Sequence, residues 1–391
     1  MSTVTRLIRD ALDAIRARNH YRVLRPFTAM GRGRLEREGT TLLDFSSNDY
    51  LGLSQHPLLK ERAIEWTQRH GTGAGASRLV TGTSPLHMAL ERKLAAFKGS
   101  EAALIFASGW QANAAVIPAI VQAVPGAQVF TDRLVHSSLH HGCAAAGARQ
   151  VRFRHNDLDH LEELLAARGD QAGARIILTE SIFSMDGDGP DLARLTALAQ
   201  HHDAFLILDE AHATGVTGPR GAGLSAALPG RVDLVIGTFS KAFGAFGAYV
   251  SGSQLLCDYL VNACSGFIFS TAPPPAVLGA IDAGLDLIPA LDGERAHLAV
   301  MSEHVRGRLH AAGFDTGAST SQIVPLIIGD AAETLALTRR LEELGILAAA
   351  IRPPSVPPGS SRLRLALRAT HDAADIERLL GSLIERAPKA A

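Results

Sequence analysis

One grammar recurs through the middle of this chain: short runs of apolar, often β-branched residues alternate with longer stretches of helical periodicity. The runs are ALIFA (103–107), QVFTD (128–132), RIILTE (175–180), FLILDE (205–210), DLVIGTF (233–239) and AYVSG (248–252). Runs that are apolar on both faces suit strands covered by helices on each side, which is the signature of a parallel sheet. Several runs end in a polar residue, Asp132, Glu180, Asp209 or Thr238. Ligands of open α/β sheets lie beyond the carboxyl ends of the strands, so these side chains arrive where a site would be.

The rest of the chain fits around that block. Residues from about Thr3 to Asn19 read as an amphipathic helix with Leu7, Ile8, Leu12 and Ile15 on one stripe. Beyond about 285 the pattern changes to helices near 293–313 and 332–345, the run SRLRLALRAT (361–370) and a final helix from Ala374. IRPPSVPPGSS (351–361) reads as a rigid loop between two elements. The expected class is α/β, a mostly parallel central sheet with helices on both faces and a smaller α+β C-terminal domain. The expected segments are a helix and arm over 1–44, a large domain over 45–285 and a C-terminal domain over 286–391.

Composition narrows the function. With 38 basic and 39 acidic residues the net charge is -1, which gives no electrostatic case for nucleic acid or an anionic membrane. No apolar run approaches a bilayer span, and the N-terminus lacks the apolar core of a signal peptide. Cys143, Cys257 and Cys264 make neither a CxxC pair nor a disulfide framework, which suits a reducing, cytoplasmic setting.

Five segments could carry chemistry. In TFSKAFGAFG (238–247), Lys241 follows an apolar strand among small residues. A lysine there, partly desolvated, can lose its proton and act as a nucleophile; the plain alternative is an exposed lysine opening a helix. In LILDEAHATGVTG (206–218), Asp209 ends a strand and His212 follows. Asp209 is either a helix N-cap or a buried carboxylate facing a cation such as a protonated pyridine nitrogen. In FASGWQANAAVI (106–117), a strand runs through Ser108, Gly109 and Trp110 into a helix whose first amides could bind an anion, or Ser108 is an ordinary cap. In TDRLVHSSLHHG (131–142), His136 and His140 have a spacing that zinc sites use, but nothing nearby completes a metal site. A flat imidazole at His136 could instead stack on a heteroaromatic ring. In SRLRLALRAT, Leu363, Leu365 and Leu367 share one face, and Arg362, Arg364 and Arg368 the other. That basic face is either solvated or a guanidinium clamp for a carboxylate.

Taken in order, DFSSNDYLGLS (44–54), FASGWQAN, DRLVHSSL, ESIFSMDGDGP (180–190), LDEAHATGVTG, TFSKAFG, FSTAPPP (269–275) and IRPPSVPPGSSRLRL resemble the α-oxoamine synthases, within the fold-type I pyridoxal-phosphate enzymes. The resemblance runs from about residue 20 to the end. It implies pyridoxal 5'-phosphate held as a Schiff base on Lys241, with Asp209 on the pyridine nitrogen and His136 stacked on the ring. It implies that Ser184 and His212 meet the ring's phenolic oxygen, and that the Ser108–Gly109–Trp110 turn and Thr238 bind the phosphate. Ser270 and Thr271 would reach the phosphate of a neighbouring subunit, hence a homodimer. Arg22, Asn48, Arg352 and Arg364 would bind substrate, Asn48 and Arg364 near the amino-acid carboxylate. Within the family, SSNDYLGLS and IRPPSVPPG favour the branch that condenses L-alanine with a pimeloyl thioester. Sister branches use glycine or serine with other acyl-CoAs. A non-catalytic partner subunit of the same fold should lack the Schiff-base lysine, and Lys241 is present. Two positions depart from the expected pattern: Trp110, where a smaller aromatic is expected, and Ser240, where glycine is also common.

Overall fold

The computed structural model describes residues 1–18, 20–168, 173–228 and 232–385. Its strands are β1 (Thr28–Gly31), β2 (Arg34–Arg37), β3 (Thr40–Asp44), β4 (Ala102–Phe106), β5 (Gln128–Asp132), β6 (Gln150–Phe153), β7 (Arg175–Glu180), β8 (Ala204–Asp209), β9 (Leu234–Thr238), β10 (Ala248–Gly252), β11 (Ile323–Gly329), β12 (Ile346–Leu347), β13 (Ala349–Ile351) and β14 (Ser361–Ala366). The chain divides into two compact units. One comprises residues 1–47, 185–187 and 299–391; the other comprises 48–184 and 188–298.

The larger unit is built on a seven-stranded sheet of order β4-β10-β9-β8-β7-β5-β6. The five strands from β9 to β6 run parallel. Successive side chains point to opposite faces, and the sequence supplies an apolar residue to each. Ile176, Leu178 and Ile207 enter a core with Val116, Ile117 and Ile120 of the helix Gly109–Ala123. Ile177 and Leu206 enter a second core with Leu161 and Leu165 of the helix Leu158–Ala166. Each fully buried aliphatic side chain contributes roughly 1.5–3 kcal/mol, so two cores of this size fix both the sheet and its register.

AYVSG, grouped with the parallel runs in the sequence, is antiparallel to both of its neighbours. The connection from β9 to β10 spans only residues 239–247, too short for a parallel crossover. It closes as a tight loop in which the Phe239 amide donates to the Gly247 carbonyl. Gly244 has φ +63°, and a Cβ there would lie 2.3 Å from the Ser54 amide, so the loop needs glycine at that point. Lys241 sits on this loop.

In the smaller unit, β14 is the centre strand between β11 and β13, antiparallel to both. The helix Ala331–Glu343 packs on it. The solvated basic face considered for SRLRLALRAT does not form. Every residue of β14 is buried, Arg362 pairs with Asp186 at 2.5 Å and Arg368 with Asp44 at 3.2 Å. A second sheet has the order β1-β2-β3-β12. The N-terminal helix spans Thr3–Ala17; the expected end at Asn19 lies outside the described residues. Among the described residues its apolar stripe is left largely uncovered: Leu7, Ile8 and Ile15 are exposed. No helix among the described residues is long and apolar enough to cross a membrane.

Candidate active site

Four strand ends in the larger unit deliver the site. β8 ends at Asp209 and is followed by turns, not by a helix, so Asp209 is no N-cap. It is 6% exposed; Oδ2 accepts from Asn113 Nδ2 at 2.8 Å and Oδ1 from the Ala211 amide at 2.9 Å. Asn113 lies on the helix Gly109–Ala123, and its Nδ2 also donates to Ser138 Oγ at 2.9 Å.

His136 caps the helix Ser137–Ala145 through Nδ1, which lies 2.7 Å from Ser138 Oγ. Asp209, Asn113, Ser138 and His136 therefore form one connected run. Burial lowers the His136 pKa, with Lys241 and His140 adding to the effect and Asp209 opposing it, so the ring is neutral at pH 7. His140 has a different task, with Nδ1 2.7 Å from Gln150 Oε1. Among the described residues no group of three or more His, Cys, Asp or Glu is arranged to hold a metal ion. The His136 amide donates to Glu180 Oε1 at 2.5 Å, and Glu180 pairs with Asp209 in register across β7 and β8. Burial first, then the Asp209 charge, push the Glu180 carboxyl well above the usual carboxylate range.

Lys241 does not open a helix; the residues after it form turns. Its Nζ lies 2.7 Å from His212 Nε2, and His212 Nδ1 lies 2.7 Å from the Tyr50 hydroxyl. Tyr50 donates to Asn48 Oδ1 at 3.1 Å. With the phenolic proton directed at Asn48, the tyrosine oxygen accepts from His212 Nδ1–H. Nε2 then carries the lone pair that receives Lys241. The run Asn48–Tyr50–His212–Lys241 thus sets the imidazole tautomer and holds the amine from one side.

Opposite the Lys241 loop, the helix Gly109–Ala123 begins. Ser108 Oγ caps it by accepting from the Gln111 amide at 3.1 Å. A Cβ on Gly109 would lie 3.9 Å from the Thr238 side chain, so the helix start is within van der Waals reach of the end of β9. Thr238 Oγ1 donates to the Gly247 carbonyl at 2.8 Å and lies 2.7 Å from Ser240 Oγ. A helix N-terminus beside two hydroxyls is a suitable anion cradle. Trp110 is half exposed, its ring edge-on to His136 with centroids 6.1 Å apart. Ser270 accepts from Gln111 Nε2 at 2.5 Å, and Thr271 bridges to Ser77 and is exposed. Ser184 is half buried, four residues beyond the end of β7.

The structure thus gathers Lys241, His212, Asn48, Asp209, His136, the Ser108–Trp110 turn and Thr238 in one unit. The three arginines expected at the substrate lie in the smaller unit. Arg364 is buried on β14; Arg22 is exposed, and Arg352 is half buried with its pKa lowered by burial and by the charge of Arg22. Sequence reasoning did not single out Tyr50, Asn113 or Glu180. Tyr50 and Asn113 lay within quoted motifs, and Glu180 ended a strand, but nothing local named their partners.

A neutral imidazole, a buried carboxylate, a lysine amine and an anion cradle within one sheet edge match the donors that pyridoxal phosphate requires. Asn113 adds a buried Oδ1 with no hydrogen-bond partner, so the polar wall is not yet fully satisfied by the protein. Comparison with known proteins agrees. The family model for class I and II aminotransferases matches residues 40–383. An 8-amino-7-oxononanoate synthase from Gluconacetobacter diazotrophicus is 59% identical, covering 96% of each chain. A Bordetella bronchiseptica protein carrying that activity in its name is 61% identical over 98% of this chain and 97% of its own. A serine palmitoyltransferase from S. paucimobilis, solved with a bound PLP–myriocin aldimine, superposes with a TM-score of 0.90 at 27% identity, covering 98% of both chains. The chain belongs to the class I and II aminotransferase family of pyridoxal-phosphate enzymes, within its α-oxoamine synthase branch.

Proposed function

We propose that the protein catalyses the decarboxylative condensation of L-alanine with a pimeloyl thioester, of coenzyme A or a carrier protein, to 8-amino-7-oxononanoate, carbon dioxide and the free thiol. The observation that carries this reading is the Lys241–His212–Tyr50–Asn48 run beside Asp209, in a chain 59% identical along nearly its whole length to a protein named for that synthase.

Pyridoxal phosphate, when bound, supplies a covalent attachment point for an amine and an electron sink for charge at the amino acid's α-carbon. Lys241 Nζ would be the amine that holds the cofactor, and, once free, the base positioned to take the α-proton. His212 Nε2 accepts from that amine and so aims it, while Tyr50 and Asn48 keep His212 in the tautomer this needs. Asp209, its carboxylate locked in place by Asn113 and the Ala211 amide, would pair with the pyridine nitrogen and keep it protonated. His136, neutral, would stack on the ring. His212 and Ser184 would meet its phenolic oxygen. The Gly109 and Trp110 amides, Ser108 and Thr238 would hold the phosphate by hydrogen bonds and the helix dipole. Asn48 and Arg364 take the alanine carboxylate. Burial and then the nearby Arg22 make it costly for Arg352 to carry charge, so Arg352 with Arg22 would gain by meeting an anionic part of the substrate. Ser270 and Thr271 serve the neighbouring phosphate of a homodimer, and the protein works in the cytoplasm of its cell.

Acyl-chain choice tests the reading most sharply. Each buried methylene contributes about 0.8 kcal/mol, so a pimeloyl pocket discriminates strongly against acetyl. One methyl separates alanine from glycine by only ~1–3 kcal/mol. Specificity constants for pimeloyl-CoA and acetyl-CoA, each with alanine and glycine, should peak for pimeloyl-CoA with alanine. A higher value for acetyl-CoA with glycine moves the chain to a glycine acyltransferase branch.

A further inference from the structure

Outside the residues just described, the larger unit contains a three-membered ionic cluster that the reaction does not use. His155 stands between two carboxylates. Nδ1 lies 3.0 and 3.1 Å from the oxygens of Asp132, and Nε2 lies 3.3 and 3.0 Å from those of Asp188. A neutral imidazole would turn a lone pair toward one carboxylate; only the imidazolium donates to both. Burial opposes the charge, yet the two carboxylates more than reverse this and hold the His155 pKa at about 10. The cluster is packed in place, with Phe183 edge-on to the imidazole at 4.4 Å. The Asp132 carboxylate has no exposed surface and also accepts from the amides of Leu134 and Asn156, at 2.8 and 2.7 Å.

The two carboxylates stand at the roots of two site-bearing turns. Asp132 ends β5, four residues before His136. Asp188 lies four residues after Ser184, and its carbonyl accepts from the Phe183 amide at 2.8 Å. We propose that His155 is a positioning residue: as an imidazolium bridging Asp132 and Asp188, it locks the turn carrying His136 to the turn carrying Ser184. It thereby fixes the distance between the residue on the cofactor's ring face and the residue on the ring's oxygen. The inference rests on the cofactor roles proposed above for His136 and Ser184. An uncharged residue at 155 can serve one carboxylate, not both, and leaves two like charges facing each other.

The test is His155→Gln, measured as holoenzyme and as apoenzyme. Hydrogen exchange should accelerate together in the amides of 134–136 and 181–184, in both forms. The visible circular dichroism of the bound cofactor should weaken. The kcat should fall on the order of 10- to 100-fold, the scale of a small misplacement of reacting groups, while KM for alanine stays within about twofold, since this change removes no substrate contact. Because the bare carboxylates could unfold that variant, the neutral set D132N/H155Q/D188N removes the repulsion and should show the same kcat loss. Unchanged exchange, or acceleration in only one of the two turns, overturns the clamp. Accelerated exchange in both turns with an unchanged dichroic band overturns the cofactor roles, and the positioning claim with them.

Discussion

Replacing Asp209 by asparagine keeps the shape of the side chain and removes its charge. The stability cost follows from its two partners. Oδ2 accepts from Asn113 Nδ2 and Oδ1 from the Ala211 amide, and an amide can accept through only one of these atoms. One donor would then face another, which inside a protein costs about 1–3 kcal/mol. A flip of the Asn113 amide does not relieve this, because it buries an unpaired NH2 where Oδ1 stood and turns Ser138 Oγ away from His136 Nδ1. The stability loss should therefore sit near the middle of that range, about 2 kcal/mol. The catalytic loss is larger, because a neutral amide cannot keep the pyridine nitrogen protonated. Loss of one such electrostatic group costs about 3 kcal/mol in the barrier, a slowing on the order of 10²-fold. The assays are urea unfolding and exchange of the alanine α-proton with solvent deuterium, which reports proton removal without the acyl step. Exchange within about threefold of the wild type would refute the role of Asp209; so would a stability loss that by itself accounts for the missing activity.

Lys241→Ala should abolish covalent retention of pyridoxal phosphate after borohydride reduction, and peptide mapping of the wild type should place the label on Lys241; a label on another lysine removes it from the mechanism. Lys98→Met should destabilise the fold by about 3–5 kcal/mol, the cost of breaking a buried pair, because Lys98 and Glu210 are both buried and 2.7 Å apart. Lys98→Met combined with Glu210→Leu should recover only part of that loss in the same denaturation assay: the apolar pair removes the lone buried charge, but the buried Ser225 amide and hydroxyl lose their acceptor. For His155 the sign is that of a raised pKa. The folded value is about 10 against an ordinary 6.5, so its stabilisation is fully present below pH 6.5 and is lost as pH rises through about 10. Denaturation midpoints measured from pH 6 to 10.5 should fall more steeply for the wild type than for D132N/H155Q/D188N; parallel profiles would mean that the imidazolium contributes nothing.

The strand runs, their helical partners and the positions of Lys241, Asp209, His136 and His212 at strand ends were legible in the sequence. Apolar period and turn residues are local properties, and an ordered set of motifs preserves them. QVFTD, RIILTE and AYVSG are strands over the residues read from the sequence. What the tertiary structure decided is partnership. The direction of β10 depended on the shape of the Lys241 loop, since apolar alternation is the same in parallel and antiparallel strands. His212 meets Tyr50, 162 residues away, and Asp209 meets Asn113, 96 residues away; no local pattern encodes such pairs. In sequence the arginine face of β14 could be either solvated or a clamp for a carboxylate, because alternation reveals only that two faces differ. Carboxylates at Asp44 and Asp186 turned it into a buried ionic layer, since a buried guanidinium must be paired and its partner arrives from another part of the chain.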